Sequence, residues 1–242
     1  MRMIKAFPAG LAAISLFAAL PAPAQTAADL EARLTSYRHR VELLKDQDAI
    51  ENLQAAYGYY FDKGLWGEVS DLFSANGSFE YGQRGVYVGP AHIRKALLLF
   101  GPEGLEAGRL NNHMQLQAIM TVAPDGATAK ARWRGMVQLG RPNASAQWGE
   151  GVYENEYVKE KGVWKISKLH FYVTGFTDYD LGWAKSGIPM EGPSAVIPPD
   201  RSPTEIYRAY PGVYLPPFDY LHPVTGKPIP VTQPSDSVLG RK

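Results

Sequence analysis

The chain has 242 residues, of which 45% are hydrophobic and 20% are charged, and it contains no cysteine. This composition is typical of a globular protein, and the length suits one large domain that can bury a sizeable core. The absence of cysteine excludes a disulfide scaffold, a thiolate metal site and a cysteine nucleophile. A formal net charge of +1 without any basic block argues against a nucleic-acid-binding protein.

The first 24 residues have the pattern of a secretory signal peptide. Arg2 and Lys5 precede an apolar run over residues 6–20, and Ala22-Pro23-Ala24 supplies the small residues of a cleavage site. The apolar run is shorter than the ~20 residues that a membrane-spanning helix needs. We therefore expect a cleaved signal peptide over residues 1–24, no membrane partner, and a periplasmic or secreted product.

N-terminal sequencing of the exported protein should therefore begin at or near Gln25. Protein recovered from the periplasm with Met1 still attached would contradict this prediction.

The next part of the chain is predicted to be helical. Apolar residues recur every three or four positions over residues 27–62, and Asp46-Gln47-Asp48 marks the place where this helix could break. We assign residues 25–45 to an N-terminal helix that precedes the main domain. A short helix follows from Trp66, and Gly89-Pro90 begins a third, with proline at a position that a first turn tolerates.

The middle of the chain changes to the pattern of strands. After a turn at residues 75–77, two short strands are predicted at residues 78–81 and 86–88. Four longer strands are predicted at residues 111–123, 128–139, 147–159 and 163–174. Turn residues between them are spaced for antiparallel hairpins. The order, helices first and then a curved antiparallel sheet, predicts an α+β domain over residues 46–175.

The last part of the chain, residues 176–242, differs in composition. Residues 189–242 contain 12 of the 19 prolines, yet they are rich in tyrosine and other aromatic residues, which a solvated linker would lack. We predict a non-regular C-terminal extension that lies over the domain or over a neighbouring subunit.

Several local sequences resemble the nuclear transport factor 2-like superfamily. The segment from Tyr57 to Trp66 resembles its first helix pair, Phe79-Glu80-Tyr81 its first strand, and Tyr87 to Ile93 the entry to its third helix. Asn112-His113 and Gly162 to Ile166 resemble its long strands. This resemblance covers residues 46–175 and implies a cone-shaped α+β barrel whose sheet is wrapped by the N-terminal helices.

Within the superfamily the chain is most similar to the SnoaL-like and scytalone dehydratase-like enzymes. The resemblance implies proton-transfer and elimination chemistry without a metal or an organic cofactor. It implies that Asp62, Tyr81 and His113 are catalytic. The pattern is incomplete, because Phe61 replaces a tyrosine and Gln138 stands where a second histidine is expected.

The residue types fit acid–base chemistry. His113 can exchange protons near neutral pH, and Asp62, at the unfavourable C-terminal end of a helix, is interpreted as its partner. His113, Gln115 and Gln117 alternate along a strand and would share one face. The alternative roles are a turn cap for Asp62 and a plain core histidine.

The remaining candidates would bind the substrate or stabilise charge. Arg84 would hold a phenolate or developing oxyanion, and Tyr81 would assist a leaving oxygen. Arg132 and Arg134 share a face that would favour an anionic substrate if it points inward, and are surface residues otherwise. Aromatic walls are predicted from Tyr57, Tyr60, Tyr153 and Phe171. Glu150, Glu154 and Glu156, opposite Tyr153, are predicted to be exposed.

The resemblance extends to exported relatives from lignin-degrading sphingomonads, on the basis of the proline- and aromatic-rich extension. It implies a cofactor-independent lyase on lignin-derived phenolic 1,3-diols of the diarylpropane type, which lose water and formaldehyde to give a stilbene. The alternatives are a dehydratase and a non-catalytic periplasmic binder of small aromatic ligands. A homo-oligomer is implied, with a trimer favoured.

Overall fold

A computed structural model describes residues 26–234 of the chain. The described residues fall into two compact units, residues 26–39 and residues 40–234. The predicted signal peptide lies outside the described residues. No helix within residues 26–234 is both long enough and apolar enough to cross a membrane.

The first unit is the beginning of helix α1, which runs Ala27–Asp62. Thr26 caps this helix. The Thr26 hydroxyl accepts from the Asp29 backbone N–H at 3.1 Å, and the Asp29 carboxylate accepts from the Thr26 N–H at 3.1 Å. These reciprocal bonds satisfy two donors that the first helical turn leaves free. The bonds from Thr26 also lower the pKa of the Asp29 carboxyl.

Helix α1 does not break at residues 46–48, where the sequence marks a weak point. Asp46 is buried, and its carboxylate accepts from the Trp164 indole N–H at 2.9 Å and lies 2.6 Å from the Lys159 ammonium. A buried carboxylate is tolerated when it is hydrogen-bonded and paired with an opposite charge. The helix therefore continues because long-range partners from the sheet compensate for its acidic residue.

The second unit, residues 40–234, contains two further helices and a six-stranded sheet. The helices are α2 (Trp66–Asp71) and α3 (Pro90–Leu97), and a 3-10 turn follows at Leu98–Phe100. The strands are β1 (Phe73–Tyr81), β2 (Val86–Val88), β3 (Leu110–Val122), β4 (Thr128–Arg141), β5 (Ser145–Glu160) and β6 (Val163–Asp178). Their order in the sheet is β2-β1-β6-β5-β4-β3. This α+β architecture confirms the predicted fold class.

The sheet differs from the predicted antiparallel barrel in two respects. It is unclosed, with β2 and β3 at its edges, and β1 pairs with β6 in parallel, Phe79 opposite Leu169. The other pairs are antiparallel. Turn residues reveal hairpins between neighbouring strands, whereas β1 and β6 are joined only by long-range pairing, which no local pattern encodes.

Strand β1 begins earlier than the sequence indicates. The predicted turn at residues 75–77 lies inside the strand, where the pairing with β6 is irregular between Phe73 and Ser78. Turn-forming residues within a strand are typical of such irregularities, which bend the strand without ending it.

The core lies between the second half of α1 and the face of the sheet that we call the inner face. Tyr57 and Phe61 of α1 pack here with Tyr153 and Phe171 of the sheet. Gly135 makes this packing feasible, because a Cβ at this position would lie 2.7 Å from the Phe171 ring and 2.8 Å from the Tyr153 ring. The inner face is therefore predominantly aromatic close to the candidate site.

The C-terminal extension covers part of the opposite, outer face of the sheet in its own chain. After β6 ends at Asp178, residues 179–234 form neither a helix nor a named strand. Tyr207 is buried and stacks on Tyr214, and the Tyr207 hydroxyl accepts from the Val173 N–H at 2.8 Å. The Thr204 N–H and hydroxyl both donate to the buried Glu80 carboxylate, at 2.8 and 2.9 Å.

Deleting residues 200–242 should destabilise the protein, because the outer face loses its aromatic cover and Glu80 loses its hydrogen-bond donors. Removing two packed tyrosines should lower the Tm by on the order of 10 °C. Calorimetry measures the Tm, and the mass in solution reports whether assembly also weakens. Replacing the exposed Val224 with alanine is the control, and an unchanged Tm in the deletion variant would contradict the prediction.

Candidate active site

A cavity of about 370 Å³ lies at one end of the inner face of the sheet. This volume is within the usual range for small-molecule sites. Five parts of the chain form its walls: residues 81–84, residues 99–113 in part, the paired ends of β4 and β5, Val173 and Phe176 of β6, and residues 188–191 of the extension.

His113 lines this cavity, and Asp62 contacts His113 without lining the cavity itself. Asp62 is the last residue of α1, and its carboxylate accepts from the His113 backbone N–H at 2.6 Å. The same oxygen lies 3.3 Å from the His113 Nδ1. The Phe61 ring packs against the imidazole, with 4.5 Å between ring centroids. The imidazole is therefore held by a carboxylate on one side and an aromatic ring on the other.

The charge state of His113 follows from its surroundings. Burial lowers the pKa of His113, and the Arg109 guanidinium lowers it further, whereas the Asp62 carboxylate raises it in part. The net shift is downward, because loss of hydration disfavours the imidazolium. His113 is therefore neutral at neutral pH, which is the form that can accept a proton.

Tyr81 and Arg84 line the same cavity. Burial raises the pKa of Tyr81 well above its usual value, against an opposing effect of the Arg84 charge, so the phenol is a neutral hydrogen-bond donor. The Arg84 guanidinium lies 5.0 Å from the centroid of the Phe100 ring and 2.6 Å from the Glu191 carboxylate. The cavity thus combines a base, a neutral donor and a cation.

The predicted aromatic walls lie behind the cavity and do not line it. Tyr57, Tyr153 and Phe171 are fully buried in the core, and Tyr60 packs against the same core. Phe171 supports Tyr81, with 4.7 Å between the ring centroids. These residues hold the catalytic candidates in position, and the rings that do line the cavity are Tyr81, Phe100 and Phe176.

The predicted row of polar residues along β3 is interrupted. Gln115 hydrogen-bonds the buried Gln54 of α1 at 2.7 Å and does not line the cavity. Gln117 has a positive φ of 50°, and the pairing with β4 is irregular between Leu116 and Ile119. This bulge directs Gln117 to the outer face, because an extra residue reverses the alternation of side chains.

Arg132 and Arg134 lie on the outer face, so the condition for their predicted role in substrate binding, an inward-pointing face, is not met. The intervening Trp133 and the other inward-facing residues of β4 are buried in the core, and alternation directs both arginines outward. Arg134 pairs with Glu150 and donates to Gln117 at 2.7 Å.

The predicted exposure of Glu154 is also wrong. Arg132 pairs with Glu154, and its guanidinium also donates to the carbonyls of Pro216 and Pro217 in the extension. Glu154 is buried beneath this arrangement, and burial raises the pKa of its carboxyl to about 7. An exposed position would be expected for an isolated sheet, but the extension covers this part of it.

Several residues of the cavity carry no strong sequence signal. Phe100 and Arg109 flank an irregular loop before β3, and the Arg109 guanidinium donates to the Phe100 carbonyl. Arg109, Asn111 and His113 alternate along the chain and all line the cavity, so strand periodicity extended backwards from His113 could have identified them. Residues 188–191 have no pattern that predicts their position. Within residues 26–234, no three or more histidine, aspartate or glutamate side chains group to hold a metal ion.

The helices on a curved, unclosed sheet, with a cavity at one end of the inner face, define the nuclear transport factor 2-like class of α+β proteins. The family model of the SnoaL-like domain matches residues 42–170 of the sequence, which is more than half of the chain. The chain therefore belongs to the SnoaL-like domain family.

Solved structures resemble the chain at low sequence identity. One is a putative scytalone dehydratase from Novosphingobium aromaticivorans DSM 12444, with a TM-score of 0.52 and 20% identity over 64% of this chain and 97% of that chain. Another is described as LinA, with a TM-score of 0.49 and 18% identity over 58% of this chain and 93% of that chain. No curated protein matches the chain. At 20% identity, the similarity to the putative scytalone dehydratase concerns the fold alone.

Proposed function

We propose that the protein is a cofactor-independent lyase that acts on small phenolic aromatic compounds carrying hydroxyl groups. One observation carries the proposal: a neutral, buried histidine, paired with a carboxylate, shares a cavity with a neutral tyrosine hydroxyl and an arginine. A base, a hydrogen-bond donor and a cation are the groups that an elimination through anionic oxygen requires.

The substrate class that we propose is a lignin-derived phenolic 1,3-diol of the diarylpropane type. In the first step the phenol loses its proton to His113, and its electrons expel the benzylic hydroxyl, to which Tyr81 donates a hydrogen bond. That hydroxyl takes the proton from His113 and leaves as water, and the substrate becomes a quinone methide. Arg84 stabilises the negative charge on oxygen while it develops.

In the second step His113 accepts the proton of the terminal hydroxyl. The carbon–carbon bond to that carbinol carbon breaks, formaldehyde leaves, and the electrons of the bond form the stilbene double bond and restore the phenolate. His113 then returns its proton to the phenolate. One water and one formaldehyde are released, and the reaction has no net oxidation and no net proton uptake.

The test is to incubate the purified protein with a phenolic diarylpropane diol and to quantify formaldehyde and the aromatic product together. The proposal expects both to appear in step. Loss of water without formaldehyde would make the protein a dehydratase, since the same groups can serve that reaction. Binding without turnover would leave a non-catalytic binder of aromatic compounds.

Replacing Arg84 with methionine should reduce turnover of free phenols by about 10-fold or more, because a charge-assisted bond to the phenolate is lost. Residual turnover of the methylated phenol should change less, since that compound cannot form a phenolate. Arg134→Met on the outer face is the matched control. If turnover of the free and the methylated phenol fell by the same factor, Arg84 would not be the residue that binds the phenolate.

We also propose that the enzyme is exported to the periplasm and works as a homo-oligomer, with a trimer favoured. The N-terminal sequence pattern supports export, and the resemblance to the dehydratases supports the oligomer. Light scattering of the purified protein measures the subunit number, and a monomer would rule out the assembly without affecting the proposed chemistry.

A further inference from the structure

An ion pair joins the C-terminal extension to the cationic side of the cavity. The Arg84 Nη2 lies 2.6 Å from the Glu191 Oε2, and both residues line the cavity. The Arg84 side chain is only 15% exposed, whereas that of Glu191 is 71% exposed. The arginine is thus part of the cavity wall, and its partner carboxylate faces water.

The position of Arg84 does not depend on Glu191 alone. Its guanidinium stands 5.0 Å from the centroid of the Phe100 ring, a cation–π distance. The neighbouring segment of the extension is also held independently, because the Ile188 N–H donates to the Phe176 carbonyl at 2.8 Å and Met190 packs against the core. The Glu191 carboxylate can therefore leave Arg84 without the wall coming apart.

The charge of Arg84 reaches the hydroxyl of a neighbouring cavity residue. It lowers the pKa of Tyr81, against the larger effect of burial. A negatively charged oxygen of a ligand close to these two residues would be stabilised by the positive charge of Arg84. It would also accept a hydrogen bond from the Tyr81 hydroxyl. The guanidinium has several donors, but its attraction for a second anion is reduced while Glu191 is bound to it.

We infer that Glu191 competes with an anionic oxygen of the ligand for Arg84, and so sets the selectivity of the cavity between anionic and neutral aromatic ligands. This inference rests on the proposed function, which gives Arg84 the anionic oxygen. Glu191 lies outside the SnoaL-like domain match, which ends at residue 170, so this control of selectivity is a property of the extension.

Two roles of Glu191, competing for Arg84 or holding Arg84 in place, predict opposite changes in anion binding when Glu191 is neutralised. If Glu191 competes, its neutralisation strengthens the binding of an anion to Arg84. If Glu191 only held Arg84 in place, its neutralisation would weaken that binding. A neutral ligand of the same shape would be unaffected in the first case, because it does not compete for the guanidinium.

The experiment measures equilibrium binding of para-nitrophenolate and of neutral para-nitroanisole, in mildly alkaline buffer, to the full-length mature protein. Glu191→Gln should bind para-nitrophenolate about 2- to 5-fold more tightly, the range expected for removing a mostly exposed ion pair. Binding of para-nitroanisole should stay the same. Glu103→Gln, which neutralises the Arg94–Glu103 pair away from the cavity, is the matched control.

The Arg84→Gln background completes a double-mutant cycle. In that background Glu191→Gln should have no effect on para-nitrophenolate binding, because the guanidinium for which the two anions compete is absent. Weaker phenolate binding in Glu191→Gln, an equal change for both ligands, or no phenolate binding in any variant would overturn the inference. Since no step measures turnover, a protein that shows the predicted selectivity but releases no product would refute the lyase and leave this inference intact.

Discussion

Replacing His113 with alanine will lower turnover at least ~10²-fold, because the cavity then lacks its base. In the structure His113 is the only histidine among the residues that line the described cavity, and its lowered pKa keeps it in the proton-accepting form. The rate is measured from product formation at saturating substrate, so that a change in binding does not obscure a change in chemistry.

The control for this variant is His39→Ala, since His39 is exposed on α1. Circular dichroism and the Tm show whether His113→Ala still folds, which matters because His113 is buried beside Phe61. A folded His113→Ala protein with normal turnover would show that the reaction is carried out elsewhere.

Replacing Asp62 with asparagine will shift the pH dependence in a defined direction. The Asp62 carboxylate raises the pKa of His113 against the larger effect of burial, so its neutralisation lets that pKa fall further. The acidic limb of the pH–rate profile therefore moves to lower pH. The weaker base should also reduce the plateau rate, because the efficiency of a general base falls with its basicity.

Asparagine keeps an oxygen that can accept from the His113 backbone N–H, so the local structure should survive. Asp71→Asn is the matched control, because Asp71 is an exposed aspartate at the end of α2. An acidic limb that stays in place or moves to higher pH would mean that Asp62 does not act through His113. In the His113→Ala background, the Asp62→Asn substitution should lower turnover little further, as expected for residues that act as a unit.

The residues of the candidate site differ in how far sequence could locate them. Tyr81 and His113 were expected from the resemblance to the dehydratases, and Arg84 from its charge beside Tyr81, and all three line the cavity. For Arg132 and Arg134, the sequence shows only that the two side chains share one face of the sheet. Strand alternation does not tell which face is covered by α1 and which by the extension.

Gln117 shows a second limit. Regular alternation predicts that it follows His113 and Gln115, but the bulge at its positive φ directs it to the other face. The segment from Met114 to Ile119 contains no glycine and no other residue that would mark such a bulge. The irregularity results from the fit between β3 and its partner strand, which is a property of the assembled sheet.

The sequence by itself determined the features that depend on neighbouring residues: the helical period of α1, the hairpins between the long strands, and an aromatic extension too apolar to be a solvated linker. The tertiary structure decided the parallel pairing of β1 with β6, the outward direction of Arg132, and the contribution of residues 188–191 to the cavity. The physical reason is the range of the interactions. Periodicity and turn chemistry act over a few residues, whereas these three features arise where segments far apart in the chain pack against one another, and only the folded protein brings those segments together.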